Sequence, residues 1–513
     1  MLDHLRNTVK HTAIYSLGNL STKIIGLILL PLYTTYLTTA EYGIFSILEI
    51  TSQFFTTLVS LGLSAGMMRW YAVENDDRRR RVIVFSTWAA TFFMALLVNI
   101  AFLPANNWFS MIFFDRADFS SYFLLLWIWV GLDVLNRVPF ELFRLKEKSL
   151  LFIAMVIIKF TAVLLLNIYF IVFLEMGVKG IILSQVIGNL MVTIGTLPFL
   201  LKNTHFRLDT RILKEISLFS IPLVLSSVAT MALALSDRYL IKYFLDYSEV
   251  GIYSLGYKVA SVIHMFLVQS FLLGFAPLAY KIFDQPEARR YFARVTTYFT
   301  YAMIVLALLL IFYAKEVIAL SSSGNEDFVL AFDVIPLLCL AVIFRGLNSI
   351  VSMGLHYVKK TRFNLLIVIV VAVFNIGINF LLIPAFGIYG AATASLLANL
   401  LMTIMFYIYS QRYYPIRYEF RRIVTLFAVG IAFYFLATLA GQLGFWGGIA
   451  AKSVLLFLFP LALYPLNFYE KVELDRLRGF WKKWRNPADL FVNLKDFSQK
   501  NTNKTEDNNE RTI

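Results

Sequence analysis

Apolar runs of about 17–25 residues recur along almost the whole chain, and no other feature restricts its fold as much. They fall near 12–37, 43–68, 82–104, 120–140, 150–174, 180–201, 216–240, 251–279, 295–319, 331–357, 364–385, 389–409, 425–441 and 449–468. Run length selects helices, because a membrane-barrel strand needs only about 9–11 residues and alternates in polarity. The chain is therefore expected to be an all-α polytopic membrane protein with about fourteen transmembrane helices. Its charged fraction of 15% agrees, since a soluble domain carries about 25%.

The polar segments between runs set the orientation. Every second loop is basic: Arg69 with Arg78 to Arg81; Arg144, Lys146 and Lys148; Lys202, Arg207, Arg211 and Lys214; Lys281, Arg289, Arg290 and Arg294; Lys359, Lys360 and Arg362; and Arg412, Arg417, Arg421 and Arg422. The alternate loops hold only Arg116, Lys179, Lys242 and the flanking Lys315 and Lys452. Basic loops stay in the cytoplasm, so both termini are expected there. This pattern also accounts for the net charge of +14 without a nucleic-acid partner. The first run is long, contains Lys23 and lacks a small-residue cleavage site after it, so a cleavable signal peptide is not expected. The single Cys339 and five histidines without ligand spacing predict no disulfide, metal cluster or cofactor.

The chain repeats itself. Tyr36-Leu37-Thr38-Thr39-Ala40-Glu41-Tyr42-Gly43-Ile44-Phe45-Ser46 parallels Phe244-Leu245-Asp246-Tyr247-Ser248-Glu249-Val250-Gly251-Ile252-Tyr253-Ser254, 208 positions on. Gly177-Val178-Lys179-Gly180 with Asn189 and Thr193 parallels Gly387-Ile388-Tyr389-Gly390 with Asn399 and Thr403, 210 positions on. Two copies of a six-helix unit follow, and because six is even they run parallel about an axis along the membrane normal. The expected division is 1–201 for the first lobe, 202–410 for the second, 411–468 for an extra helix pair and 469–513 for a cytoplasmic tail. That tail, basic and aromatic from Glu470 to about Lys495, reads as an interfacial helix, with the last residues disordered. The Glu-x-Gly-Ile turns read as structural, with Glu41 and Glu249 capping or pairing at a helix start and Gly43 and Gly251 permitting close packing.

Topology leaves six cations within spans unexplained: Lys23, Arg137, Lys159, Arg238, Lys258 and Arg345. A charge at the bilayer centre costs about 2.5–3.5 kcal/mol on insertion scales, so each needs a partner or a wet cavity. Arg137 stands one helical turn after Asp133, Arg238 follows Asp237, and Lys159 has Asp133 or Glu49 as possible partners; Lys23, Lys258 and Arg345 have no intrahelical acid. A cavity for an anion is expected, with Glu49 and Asp133 as candidate proton or sodium sites or as charge partners. Arg suits a diphosphate as a planar fork and Lys as a point charge.

Ser236-Asp237-Arg238-Tyr239, the Glu249-Val250-Gly251-Ile252-Tyr253-Ser254 turn and Gly387-Ile388-Tyr389-Gly390-Ala391-Ala392, set in this two-lobed plan over about residues 10–470, resemble the polysaccharide (Wzx-type) flippases of the multidrug/oligosaccharidyl-lipid/polysaccharide exporter superfamily. The resemblance implies a MATE-like pair of lobes around a central cavity. It also implies alternating-access flipping of an undecaprenyl-diphosphate-linked oligosaccharide, such as an O-antigen, capsule or exopolysaccharide repeat unit, across the bacterial cytoplasmic membrane. Such a flippase is expected to act as a monomer beside polysaccharide assembly proteins. A span count of fourteen resembles the lipid II flippases, the second reading; an ion-coupled multidrug antiporter follows. A membrane polymerase comes last, because the longest outer loop, about Pro104 to Phe119, offers only Asp115, Arg116 and Asp118, and no nucleotide loop or nucleophile–base pair occurs.

Overall fold

A computed structural model describes residues 28–322, 325–358, 360–470 and 474–475. Among them every regular element is helical, as expected for backbone that must satisfy its own hydrogen bonds in lipid. Ten described helices are long and apolar enough to cross a membrane, or eleven if a bent pair counts as one span. That pair is α2 (Thr39–Val59) and α3 (Leu63–Val73), which follow the short α1 (Leu30–Tyr36) and bend by 42°. The bend falls at Gly62, whose φ of 63° suits glycine.

The first copy of the repeat continues through α4 (Asp77–Phe102), α5 (Asn106–Phe114), α6 (Ser120–Leu145), α7 (Ser149–Ile168) and α8 (Gly177–Lys202). The second holds α9 (Thr210–Phe244), α10 (Tyr247–Val262), α11 (Gln269–Ile282), α12 (Ala288–Ser321), α13 (Ile335–Val351), α14 (Met353–Tyr357) and α15 (Thr361–Tyr413).

The structure differs from the fourteen separate runs in identifiable ways. The expected spans 364–385 and 389–409 are the two arms of α15, which separate without an intervening loop at the non-helical Gly387 (φ 58°, ψ −139°). Its apolar stretch of 51 residues would measure about 77 Å if straight, against a hydrocarbon core of about 30 Å. The spans expected at 425–441 and 449–468 correspond to two helices, Phe420–Ala440 and Gly444–Ala462. The run at 12–37 lies mostly outside the described residues, as does the tail expected to lie at the interface. The segment expected as the longest outer loop is instead largely helical, as α5: Phe109 and Phe114 are buried there. Phe109 joins Phe55 and Phe102 around the buried Trp127, with ring centres 4.7–4.9 Å from its ring.

Two compact units divide the chain, residues 1–418 and 419–513. The second contains α16 (Phe420–Ala440) and α17 (Gly444–Ala462), joined by a tight turn. Within it Phe433 and Phe459 meet edge to face, and Arg422 bridges Glu419 at 3.3 Å and Glu470 at 3.7 Å. Lys452, expected to flank a loop, is buried inside α17.

The repeated turn is the seam of the first unit. Thr38 caps α2 in a reciprocal box with Glu41, and Asp246 caps α10 by accepting from the Glu249 backbone N–H at 2.9 Å. The two capped helices then pack on each other at matching positions. A Cβ on Gly43 would lie 1.8 Å from the Tyr247 carbonyl oxygen, and one on Gly251 would lie 2.0 Å from that of Thr39. Ser46 donates to its counterpart Ser254 at 2.7 Å, and the Thr39 and Ser248 hydroxyls meet at 2.6 Å. Each copy therefore meets its own image across a local two-fold axis, with backbone on backbone as in small-residue membrane interfaces.

Candidate functional site

Helices α9, α10 and α13 bring three of the six expected cations together beside the seam. Arg238 of α9 is only 5% exposed. Its Nε donates to Ser254 Oγ at 3.0 Å, its guanidinium lies 4.5 Å from the Tyr257 ring centre, and its Nη1 has no partner. Arg345 of α13 donates from Nη1 to the hydroxyl of the same Tyr257 at 3.0 Å. Lys258, the next residue on α10, holds its Nζ 6.0 and 5.9 Å from the ring centres of Tyr33 and Tyr42, with Glu49 of α2 within electrostatic reach. Each aromatic face offsets part of the cost of a desolvated cation, about 0.5–2 kcal/mol. No ion pair within 4.0 Å joins any of the three to a described carboxylate.

Beside them, Asp237 is buried and spoken for. Its carboxylate accepts from the Tyr253 hydroxyl at 2.7 Å, from Asn379 Nδ2 at 2.9 Å and from Ser395 Oγ. Three neutral donors, from α10 and α15, hold this α9 carboxyl in place beside Arg238.

The first copy of the repeat treats its charges differently. Lys159 Nζ lies 3.6 Å from Asp133 and donates to Asn189 Oδ1 at 2.8 Å, while Arg137 donates to Ser60 Oγ at 3.2 Å. Asp133 thus pairs across helices with Lys159 rather than with Arg137 one turn away. Asn136 and Asn189 extend this network: Asn136 Nδ2 donates to the Asn189 carbonyl at 3.1 Å and Oδ1 accepts from Thr193 at 2.9 Å. Lys23 lies outside the described residues.

A cavity of about 300 Å³ with mixed polar and apolar walls opens beside Arg345 and Tyr257. A second, of about 720 Å³, sits among the basic loops, lined by Arg69, Arg79, Arg207 and Arg211 with Trp70. There the Arg69 guanidinium stacks 4.7 Å above the Phe219 ring centre. Nearby, burial and the adjacent Arg81 hold Lys146 below the usual lysine range, and its Nζ donates to Asn203.

Sequence reasoning missed the aromatic partners Tyr33, Tyr42 and Tyr257 and the amide and hydroxyl partners of Asp237. Asn375 and Asn379, one turn apart in an otherwise apolar run, were the available signal. Among the described residues no group of three or more His, Cys, Asp or Glu comes together as a metal site.

By sequence, no curated protein matches the chain. By fold, it is similar to the lipid II flippase MurJ in an inward closed conformation, with a TM-score of 0.74 at 13% identity over 88% of this chain and 99% of that one. It is also similar to an inward-facing multidrug resistance MATE transporter of the MOP superfamily, with a TM-score of 0.62 at 13% identity over 80% and 95% of the two chains. A mutant form of the Vibrio cholerae MATE transporter VcmN gives 0.54 at 15% identity over 79% and 96%. The model of the polysaccharide biosynthesis protein family matches residues 8–283, more than half of the chain. The chain therefore belongs to the polysaccharide biosynthesis protein family.

Proposed function

We propose that the protein flips a lipid-linked oligosaccharide from the cytoplasmic to the outer leaflet of a bacterial cytoplasmic membrane by alternating access, with both termini in the cytoplasm and the two repeats forming its lobes. The observation that carries this reading is the cluster of Arg238, Lys258 and Arg345, three cations beside the seam without a paired carboxylate. A diphosphate linking lipid to sugar matches that charge, and the polyprenyl tail stays in the bilayer. Lys159 and Arg137, engaged with Asp133 and Ser60, support the structure around the cavity. Glu49, close to Lys258, is the better placed of the two candidate proton or sodium sites, because Asp133 is already held by Lys159.

Charge-assisted hydrogen bonds are worth about 1.5–3 kcal/mol, so Lys258→Ala or Arg345→Ala should lower export by about ten- to a hundredfold while the protein still inserts. Export at the normal level in Lys258→Gln or Arg345→Gln would show that charge is not what the cargo meets. The membrane potential should assist: moving about two negative charges outward gains up to about 4.6 kcal/mol per 100 mV if they cross the whole field. Vesicles clamped to zero potential should therefore flip more slowly, and an unchanged rate would remove the potential as the driving force.

Lipid II is the second cargo, favoured by the fold's likeness to MurJ. Depleting the protein and identifying the lipid-linked saccharide that accumulates on the inner leaflet separates the two readings. Accumulation of neither would overturn both.

A further inference from the structure

The two copies of the repeat place equivalent side chains in opposite states. Aligned through Asn136 and Asn348, 212 positions apart, Asp133 of α6 corresponds to Arg345 of α13. In both copies the asparagine Oδ1 accepts from a threonine on a later helix, Thr193 at 2.9 Å and Thr403 at 2.6 Å. In the first copy the remaining groups close on themselves, with Asn136 Nδ2 on Asn189 and Asp133 on Lys159. In the second they do not. Asn348 is only 5% exposed and its Nδ2 has no partner; Asn364 Oδ1 also has none. Both side chains line the cavity of about 300 Å³ with Arg345, Tyr257, Ser349 and Asn399.

An unsatisfied buried amide costs about 1–3 kcal/mol, and such groups persist where a ligand or water completes them. The cavity's size falls at the lower end of small-molecule pockets, about 300–1,000 Å³. Its wall offers a free N–H donor, a free amide acceptor, several hydroxyls, the His264 imidazole and one guanidinium, together with apolar Leu338, Val342 and Phe406. That mixture fits a ring with many hydroxyls and one negative substituent.

We propose that this cavity is a sugar subsite: it binds one sugar ring of the cargo, with a carboxylate or phosphate on that ring set against Arg345. The proposal rests on the flippase reading for the identity of the cargo, while the site itself is testable by binding alone. In the first copy the corresponding asparagine and acid are already engaged, by Asn189 and Lys159.

The test uses the full chain in detergent micelles with sodium glucuronate, glucose and sodium acetate as probes at matched ionic strength, read by thermal unfolding. Glucuronate should give a saturable rise in Tm of about 1–3 °C and glucose a smaller one; acetate should give none. Asn348→Leu should lose the glucuronate shift. Asn364→Leu, which leaves the Asn348–Thr403 bond in place, should reduce it and serves if Asn348→Leu does not fold. No saturable shift, an equal shift with acetate, or an unchanged shift in a folded variant would overturn the subsite. A chain that binds glucuronate but whose depletion traps no lipid-linked saccharide would keep the subsite and lose the flipping reading, so the two fail separately.

Discussion

Gly251→Ala should leave little folded protein in the membrane, and Gly43→Ala should do the same. In each case the new methyl would sit about 2 Å from a backbone carbonyl of the partner helix, 2.0 Å for Gly251 and 1.8 Å for Gly43. Backbone oxygen has no rotamer to retreat into, so α2 and α10 must separate. Separation breaks the Ser46–Ser254 and Thr39–Ser248 bonds, which are worth about 0.6 kcal/mol each in a membrane, and loosens the dispersion contacts that drive helix association there. Gly377 is the control: no atom lies within 4 Å of its would-be Cβ, and Gly377→Ala should leave folded protein at the normal level. Fluorescence-detected size exclusion of detergent extracts measures all three. Normal yield and elution of Gly251→Ala would show that the helices do not meet as described.

Asp237→Ala should be the most destabilising change that adds no bulk. It strands three donors, from Tyr253, Asn379 and Ser395, and removes the carboxyl beside the buried Arg238. Breaking a buried, hydrogen-bonded charge costs about 3–5 kcal/mol, because the partner groups are left unpaired. Thermal unfolding in detergent should show a drop of many degrees. Asp115→Ala provides the contrast: Asp115 also pairs with a cation, Lys242, but is 76% exposed, and such pairs are worth about 0–1 kcal/mol. If the two variants unfolded at the same temperature, the buried carboxylate would not be organising its surroundings.

Much of the architecture was legible because membrane spans follow from hydropathy, and because repeated turns betray repeated helices. Glu41 and Glu249 were visible as marking helix starts, where the structure puts Thr38 and Asp246 as the caps, and Gly43 and Gly251 as close-packing positions. That these glycines pack on one another was not visible, since a sequence repeat does not state whether the copies touch. The segment Pro104–Phe119 reads as a loop because a nine-residue helix is too short to register as a span; its Phe109 is held by tertiary contacts with Trp127. The site was less legible than the fold. The sequence offered Asp133 both Arg137, one turn on, and Lys159, across helices, and only the packing selects Lys159. Tyrosines such as Tyr257, which carries Arg238 on its face and Arg345 on its hydroxyl, carry no signal among the 27 in the chain.

The seam formed by Gly43 and Gly251 has the symmetry of an isologous dimer interface, in which one surface serves both partners. A half-length ancestor that paired with itself would have needed the same glycine and the same serine, each used twice. Once duplication and fusion put both partners on one polypeptide, a substitution could enter one side without appearing on the other. Asp133 and Arg345, opposite charges at corresponding positions, are what such freedom permits. The seam needs the glycine on both sides, whereas the corresponding positions 133 and 345 carry opposite charges.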